Sequence, residues 1–80
     1  MLSVHSFYAV CRQPNVSDLL NYENVTTEGL IVMSTGRAYC KPGYRVKGKE
    51  NIETSHAVRC WITGEWQTWT GCEPKGKKFL

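Results

Sequence analysis

Four cysteines, Cys11, Cys40, Cys60 and Cys72, are spread through a chain of only 80 residues. A domain this small buries roughly 60% of the surface its unfolded chain exposes, so a hydrophobic core alone leaves it marginal. Successive cysteines are 29, 20 and 12 positions apart. That spacing lacks the close C-x2-C pairs of zinc sites and the C-x-x-C of redox motifs. The two histidines, His5 and His56, stand alone and read as surface residues. An even number of dispersed cysteines therefore points to two structural disulfides, with no metal and no cofactor. Each disulfide could stabilise the fold by about 2–5 kcal/mol, which rivals the net stability of so small a core. Disulfides persist in secreted and cell-surface settings, so the expected location is extracellular. Four cysteines allow three pairings, and the spacing does not choose among them.

Charge narrows the partners. The net charge is +3, too modest for a nucleic-acid reader without a groove-reading element. The positives gather at Arg45, Lys47 and Lys49, and again at Lys75, Lys77 and Lys78. The plain reading is solvated surface and linker; the sharper one is salt-sensitive attachment to sulfated glycans or another anionic surface. No apolar run approaches the roughly 20 residues of a membrane-spanning helix, so no membrane insertion is expected. The first ten residues carry no Lys or Arg and are interrupted by His5 and Ser6, which makes a poor secretory signal. The expectation is a piece of a longer protein whose other modules flank it.

No helical stripe of useful length appears, and short β-prone runs alternate with turn residues, which predicts an all-β fold. Leu30–Met33 reads as a strand either buried on both faces or lying close to a disulfide, entered after Gly29 and left at Ser34-Thr35-Gly36. Arg37–Cys40 reads as a second strand, ended by the turn dipeptide Pro42-Gly43. In the next stretch Tyr44 and Val46 are expected to face inward, and Arg45 and Lys47 outward. Ala57–Ile62 reads as a further strand with Val58 and Cys60 on one face, followed by a turn at Gly64 before Trp66. By contrast, Arg12–Glu28 is polar and aperiodic and reads as a long loop, and loops of that length are usually functional or disordered. It holds Leu19, Leu20 and Tyr22 as possible anchors or contacts. It also holds both N-glycosylation sequons, at Asn15 and Asn24. The ends, residues 1–10 and 73–80, read as linker.

The residues around the cysteines resemble a known pattern. Pro14 follows Cys11. The run Cys40-Lys41-Pro42-Gly43-Tyr44-Arg45-Val46-Lys47-Gly48 is similar to a C-x-x-G-Y-x-hydrophobic-x-G signature. Val58 stands two before Cys60, Gly64-Glu65-Trp66 follows it, and Cys72 closes the unit. Over residues 11–72 the chain resembles a sushi module, also called a complement control protein module or short consensus repeat. The resemblance implies Cys11–Cys60 and Cys40–Cys72 pairing, one bridge near each end of an elongated β-sandwich, with Trp66 as the central core side chain beside the disulfides; Tyr44 and Val58 are the other expected core residues. There are departures. Where the family usually has an aromatic two before its second cysteine, this chain has Ala38, with Tyr39 next to Cys40. That implies either a bulge or a Tyr39 turned to the other face. The expected proline two before the last cysteine is Thr70. Trp61 and Trp69 are additions, either shielding the disulfide ends or forming an exposed aromatic patch.

No nucleophile elbow, paired-carboxylate motif or activated thiol can be named, so catalysis is not expected. The resemblance implies a noncatalytic recognition module of a larger secreted or cell-surface protein, with an extracellular protein as partner. Rigid disulfides would hold the body and loops would carry specificity. The expected contact surfaces are the Asn15–Glu28 stretch and the Tyr44–Lys49 strand; a glycan on Asn24 would mask part of the first. A glycosaminoglycan-binding module or a pure spacer are the alternatives.

Overall fold

The computed structural model describes residues 10–76. His5, Lys77 and Lys78 lie outside the described residues, as do the greater part of the expected N-terminal linker and the last four residues of the C-terminal one. The fold is all-β. Among the described residues six strands follow one another: β1 Tyr22–Thr27, β2 Thr35–Cys40, β3 Tyr44–Val46, β4 Ser55–Cys60, β5 Trp66–Gln67 and β6 Cys72–Pro74, preceded by a short 3-10 turn at Val16–Asp18. β1, β2, β4 and β5 form one antiparallel sheet in that order, and β3 pairs with β6 in a separate ribbon. No helix among the described residues is long and apolar enough to cross a membrane.

Two disulfides hold these layers. Cys11 is bonded to Cys60 and Cys40 to Cys72. The first ties the chain entry to the end of β4, where the Cys11 N–H also donates to the Leu30 carbonyl at 2.7 Å. The second ties the end of β2 to the start of β6, and so joins the sheet to the ribbon. Such bridges fit an oxidising compartment.

Strand alternation builds the core. Ala38 and Cys40 on β2, Val58 and Cys60 on β4, and Trp66 on β5 all face inward and are buried. Trp66 sits beside Cys11 and Cys60 in the core cluster, and its indole Nε1 donates to the Arg12 carbonyl at 2.8 Å. An aromatic this large buries roughly 150–250 Å² by itself, and its one polar atom is satisfied. Val46 is buried on the ribbon, whereas Tyr44, expected in the core, is only half-buried. The two-stranded ribbon has too little packed against it to cover a tyrosine. Gly36 lies in β2 between Thr26 and Val58, where a Cβ would meet the Thr26 carbonyl oxygen at 2.5 Å. Gly43 takes the positive φ of 87° that the turn after Pro42 requires.

Three expectations are corrected. The stretch Arg12–Glu28 is not one loop, because its second half is edge strand β1, paired along β2. The register slips between Tyr22 and Asn24, leaving Glu23 as the extra residue of a bulge. Tyr22 and Val25 are therefore both buried at a spacing of three, which hides the period of two. Leu30–Met33 is not a strand but a bend leading into one turn, bridged at Val10–Ile31 and bonded through the Leu30 carbonyl and the Met33 N–H to the backbone of Cys11 and Cys60. Ile31 and Met33 are exposed, and Met33 takes a positive φ of 74°. The C-terminal linker does not begin at residue 73, since β6 runs through Pro74 and the Lys75 N–H donates to the Gly43 carbonyl at 2.9 Å.

Candidate binding surfaces

The first surface expected from the sequence is the Asn15–Glu28 stretch, which comprises the 3-10 turn and β1. Asn15 caps the 3-10 turn, its Oδ1 accepting from the Ser17 N–H at 3.2 Å and the Ser17 hydroxyl at 2.8 Å. Asn15 and Asn24 are both solvent-exposed, Asn24 on the outward side of β1 opposite Tyr39. Leu19 is half-buried against the core, while Leu20 is 82% exposed. Tyr22, a contact candidate, is instead a core residue at 4% exposure. Its ring meets His56 and Trp69 edge-on, at centroid distances of 5.6 Å each. Its hydroxyl accepts from the Gly71 N–H at 2.8 Å and stands 2.7 Å from His56 Nε2. Burial pushes this phenol above its ordinary value, against the pull of the Gly71 N–H. The strand parity set by the bulge turns Tyr22 inward.

The second expected surface is the basic β3 turn, and it is poorer in free charge than the sequence implies. Arg45 is half-buried and committed: its Nη2 lies 3.0 Å from Glu73 Oε2, and its Nη1 donates to Asn51 Oδ1 at 2.8 Å. Glu73 also accepts from the Gly48 N–H at 3.1 Å, and these contacts hold its carboxyl below the usual carboxylate value. Lys47 and Lys49 remain exposed. Arg45 thus belongs to the frame that joins β3 to β6. Of the C-terminal cations only Lys75 lies among the described residues.

A third surface emerges that no stretch of sequence announced. The outward side chains of β2, β4 and β5 share one flat face, set by the register Arg37–Ala57, Thr35–Arg59 and Arg59–Gln67. Tyr39 points outward at 37% exposure, while Ala38 fills the buried position; the bulge that accompanies this shift is in β1, not β2. Trp61 follows β4 and is 40% exposed at one end of the face. A shallow depression of ≈ 360 Å³ opens over Ala57, bounded by Thr35, Arg59, Trp61, Gln67 and Thr68. Trp69 packs edge-on against Tyr22 and His56 and keeps 37% of its surface exposed.

The sequence signal for this face was alternation in β2 and β4, where Arg37 and Arg59 occupy outward positions. Pairing of two strands about twenty residues apart brings them together, and that pairing is not written in either strand. Among the described residues no three His, Cys, Asp or Glu side chains are grouped so as to hold a metal ion. No family model, curated protein or solved structure matches the chain.

Proposed function

We propose that the chain is a noncatalytic extracellular recognition module of the sushi type, part of a larger secreted or cell-surface protein and flanked there by other modules. The observation that carries the reading is the combination of first-to-third and second-to-fourth cysteine bridges with a buried Trp66 beside the first. It occurs in a chain whose Cys40–Gly48 run carries the sushi signature. A frame tied at both ends holds its outward side chains with little entropy left to lose on binding, which is what a docking surface needs. Its partner is an extracellular protein; neither nucleic acid nor direct membrane insertion is part of the reading.

Commitment of Arg45 to Glu73 weakens the glycosaminoglycan alternative, because binding through spread charges needs several free cations together. The test presents the oxidised chain as biotinylated tetramers to a panel of cell-surface and secreted ectodomains, beside a heparin column. The expected result is a protein partner whose capture disappears when the disulfides are reduced and alkylated, with elution from heparin at or below about 0.15 M salt. Retention on heparin far above that salt, with no ectodomain bound, replaces the reading with glycan binding. Absence of both, together with a parent protein that tolerates exchange of this module for an unrelated one, replaces it with a spacer.

A further inference from the structure

The outward face of the four-stranded sheet holds two arginines that the fold does not use. Among the described residues the one ion pair is Arg45–Glu73, so neither Arg37 nor Arg59 has a carboxylate oxygen within 4.0 Å. Ser55 Oγ accepts from Arg37 Nε at 2.8 Å and so fixes the plane of the guanidinium. The terminal nitrogens of Arg37, and the whole guanidinium of Arg59, have no acceptor among the described residues. Glu28 stands at the rim with its Oε1 3.4 Å from the Thr35 hydroxyl, and Glu65 stands beside Trp61 in the turn. Glu28 continues the β1 register opposite Thr35 and so is a diagonal neighbour of Arg37, but neither it nor Glu65 forms an ion pair with either arginine.

We infer that this face binds an extended acidic segment of a protein partner, with carboxylates two residues apart on Arg37 and Arg59 and an apolar side chain against Trp61. The spacing follows from the register. Arg37 lies opposite Ala57 and Arg59 opposite Thr35, which makes the arginines diagonal neighbours on one face, about 7–8 Å apart at their backbones. An extended peptide places side chains i and i+2 on one side at about 6.6 Å, so two carboxylates at that interval reach both guanidinium groups. Ala57, small and outward opposite Arg37, opens the depression of ≈ 360 Å³ that runs past Arg59 to Trp61 and admits the peptide's apolar end. Trp, Tyr and Arg are the residue types that dominate protein hot spots, and Trp61, Tyr39, Arg37 and Arg59 share this face. A sulfated glycan is less well matched, because two cations fixed to a sheet present far fewer charges than a polyanion uses. The inference rests on the recognition reading and adds the chemistry of what is recognised.

The test is NMR titration of the 15N-labelled, oxidised chain with an acetylated and amidated hexapeptide, Thr-Asp-Thr-Asp-Thr-Leu. A matched peptide with Asn for Asp and a sulfated heparin disaccharide form the other arms. Shift changes are expected at the amides of Arg37, Ala57 and Arg59 and at the Trp61 indole, absent with the Asn peptide. Each of Arg37→Ala and Arg59→Ala should weaken binding by about two- to fivefold, as exposed charge pairs do. Amide dispersion reports that the variants are folded, and Arg59→Lys separates charge from fork geometry. No shifts at millimolar peptide, or shifts confined to Lys47 and Lys49, overturn the inference. Shifts at the same residues with the disaccharide but not the peptide overturn it in favour of an anionic sugar. A protein partner that binds the double Arg→Ala variant undiminished overturns it while leaving the recognition reading standing.

Discussion

Tyr22 and His56 lie on strands separated by β2, yet the Tyr22 hydroxyl donates to His56 Nε2 at 2.7 Å. The direction follows from the other ring nitrogen. His56 Nδ1 lies 3.0 Å from the Ala57 carbonyl oxygen, which can only accept. The proton of the neutral ring is therefore on Nδ1, and Nε2 is left to accept. Fully buried Ala38, opposite His56 in β4, keeps the space beneath β2 open for this contact. The same hydroxyl accepts from the Gly71 N–H at 2.8 Å, so one oxygen links β1, β4 and the approach to β6.

Tyr22→Phe is therefore expected to destabilise the oxidised chain by about 1–2 kcal/mol, because it strands the Gly71 N–H as well as the imidazole. Urea unfolding with both disulfides intact measures it. An unchanged midpoint would mean that the hydroxyl contacts exchange freely with water.

The parts of this fold that the sequence made legible are those where alternation is intact. Val58 and Cys60 on β4, the Pro42-Gly43 turn and buried Trp66 are each announced by two or three adjacent residues. Tyr22 and Val25 were hidden because a bulge at Glu23 puts two buried residues three apart. Leu30–Met33 misled in the opposite way: its apolar residues mimic a strand, but Ile31 and Met33 lie in one turn and point to solvent. The pairing of Arg45 with Glu73 spans 28 positions, and the diagonal placement of Arg37 and Arg59 on one face depends on strand register. Neither distance leaves a local mark in the chain.

Glu73 makes a prediction about acid. The Gly48 N–H first, then Arg45, holds the folded carboxyl below its ordinary value of 4.5. A carboxyl with a depressed folded value contributes stability that is present above the unfolded value and lost as pH falls through the folded one. Stability measured from pH 6 downward should therefore begin to fall near pH 4.5 and go on falling below it. Glu73→Gln should flatten that limb. A variant with the same acid limb as the native chain would assign the loss to other carboxylates.

The two disulfides close loops of similar size, with separations of 49 and 32 residues. Removing either is expected to cost about 4 kcal/mol by the loop-entropy relation, so stability alone does not distinguish them. Access does. Cys11 and Cys60 are at 1% and 0% exposure, whereas Cys72 is only half-buried at the edge of the ribbon. Mild reductant followed by alkylation and peptide mass analysis should label Cys40 and Cys72 first. Equal labelling of all four would show that reduction proceeds by global unfolding.

Met33 is an exposed side chain in left-handed backbone, with φ 74° and 52% of its surface in solvent. Its N–H donates to the Cys60 carbonyl at 2.8 Å, so the turn is anchored to the buried disulfide and cannot relax to avoid the strain. An L side chain pays roughly 1–2 kcal/mol in this region. Glycine avoids that cost but gives up roughly 0.5–1 kcal/mol to the entropy of its unfolded chain. The difference predicts that Met33→Gly raises stability by about 0.5 kcal/mol, and Met33→Val, β-branched and worse suited to positive φ, lowers it. Thermal unfolding of the three oxidised chains at one pH measures the order. A valine variant as stable as the glycine one would mean that the turn is not left-handed at this residue.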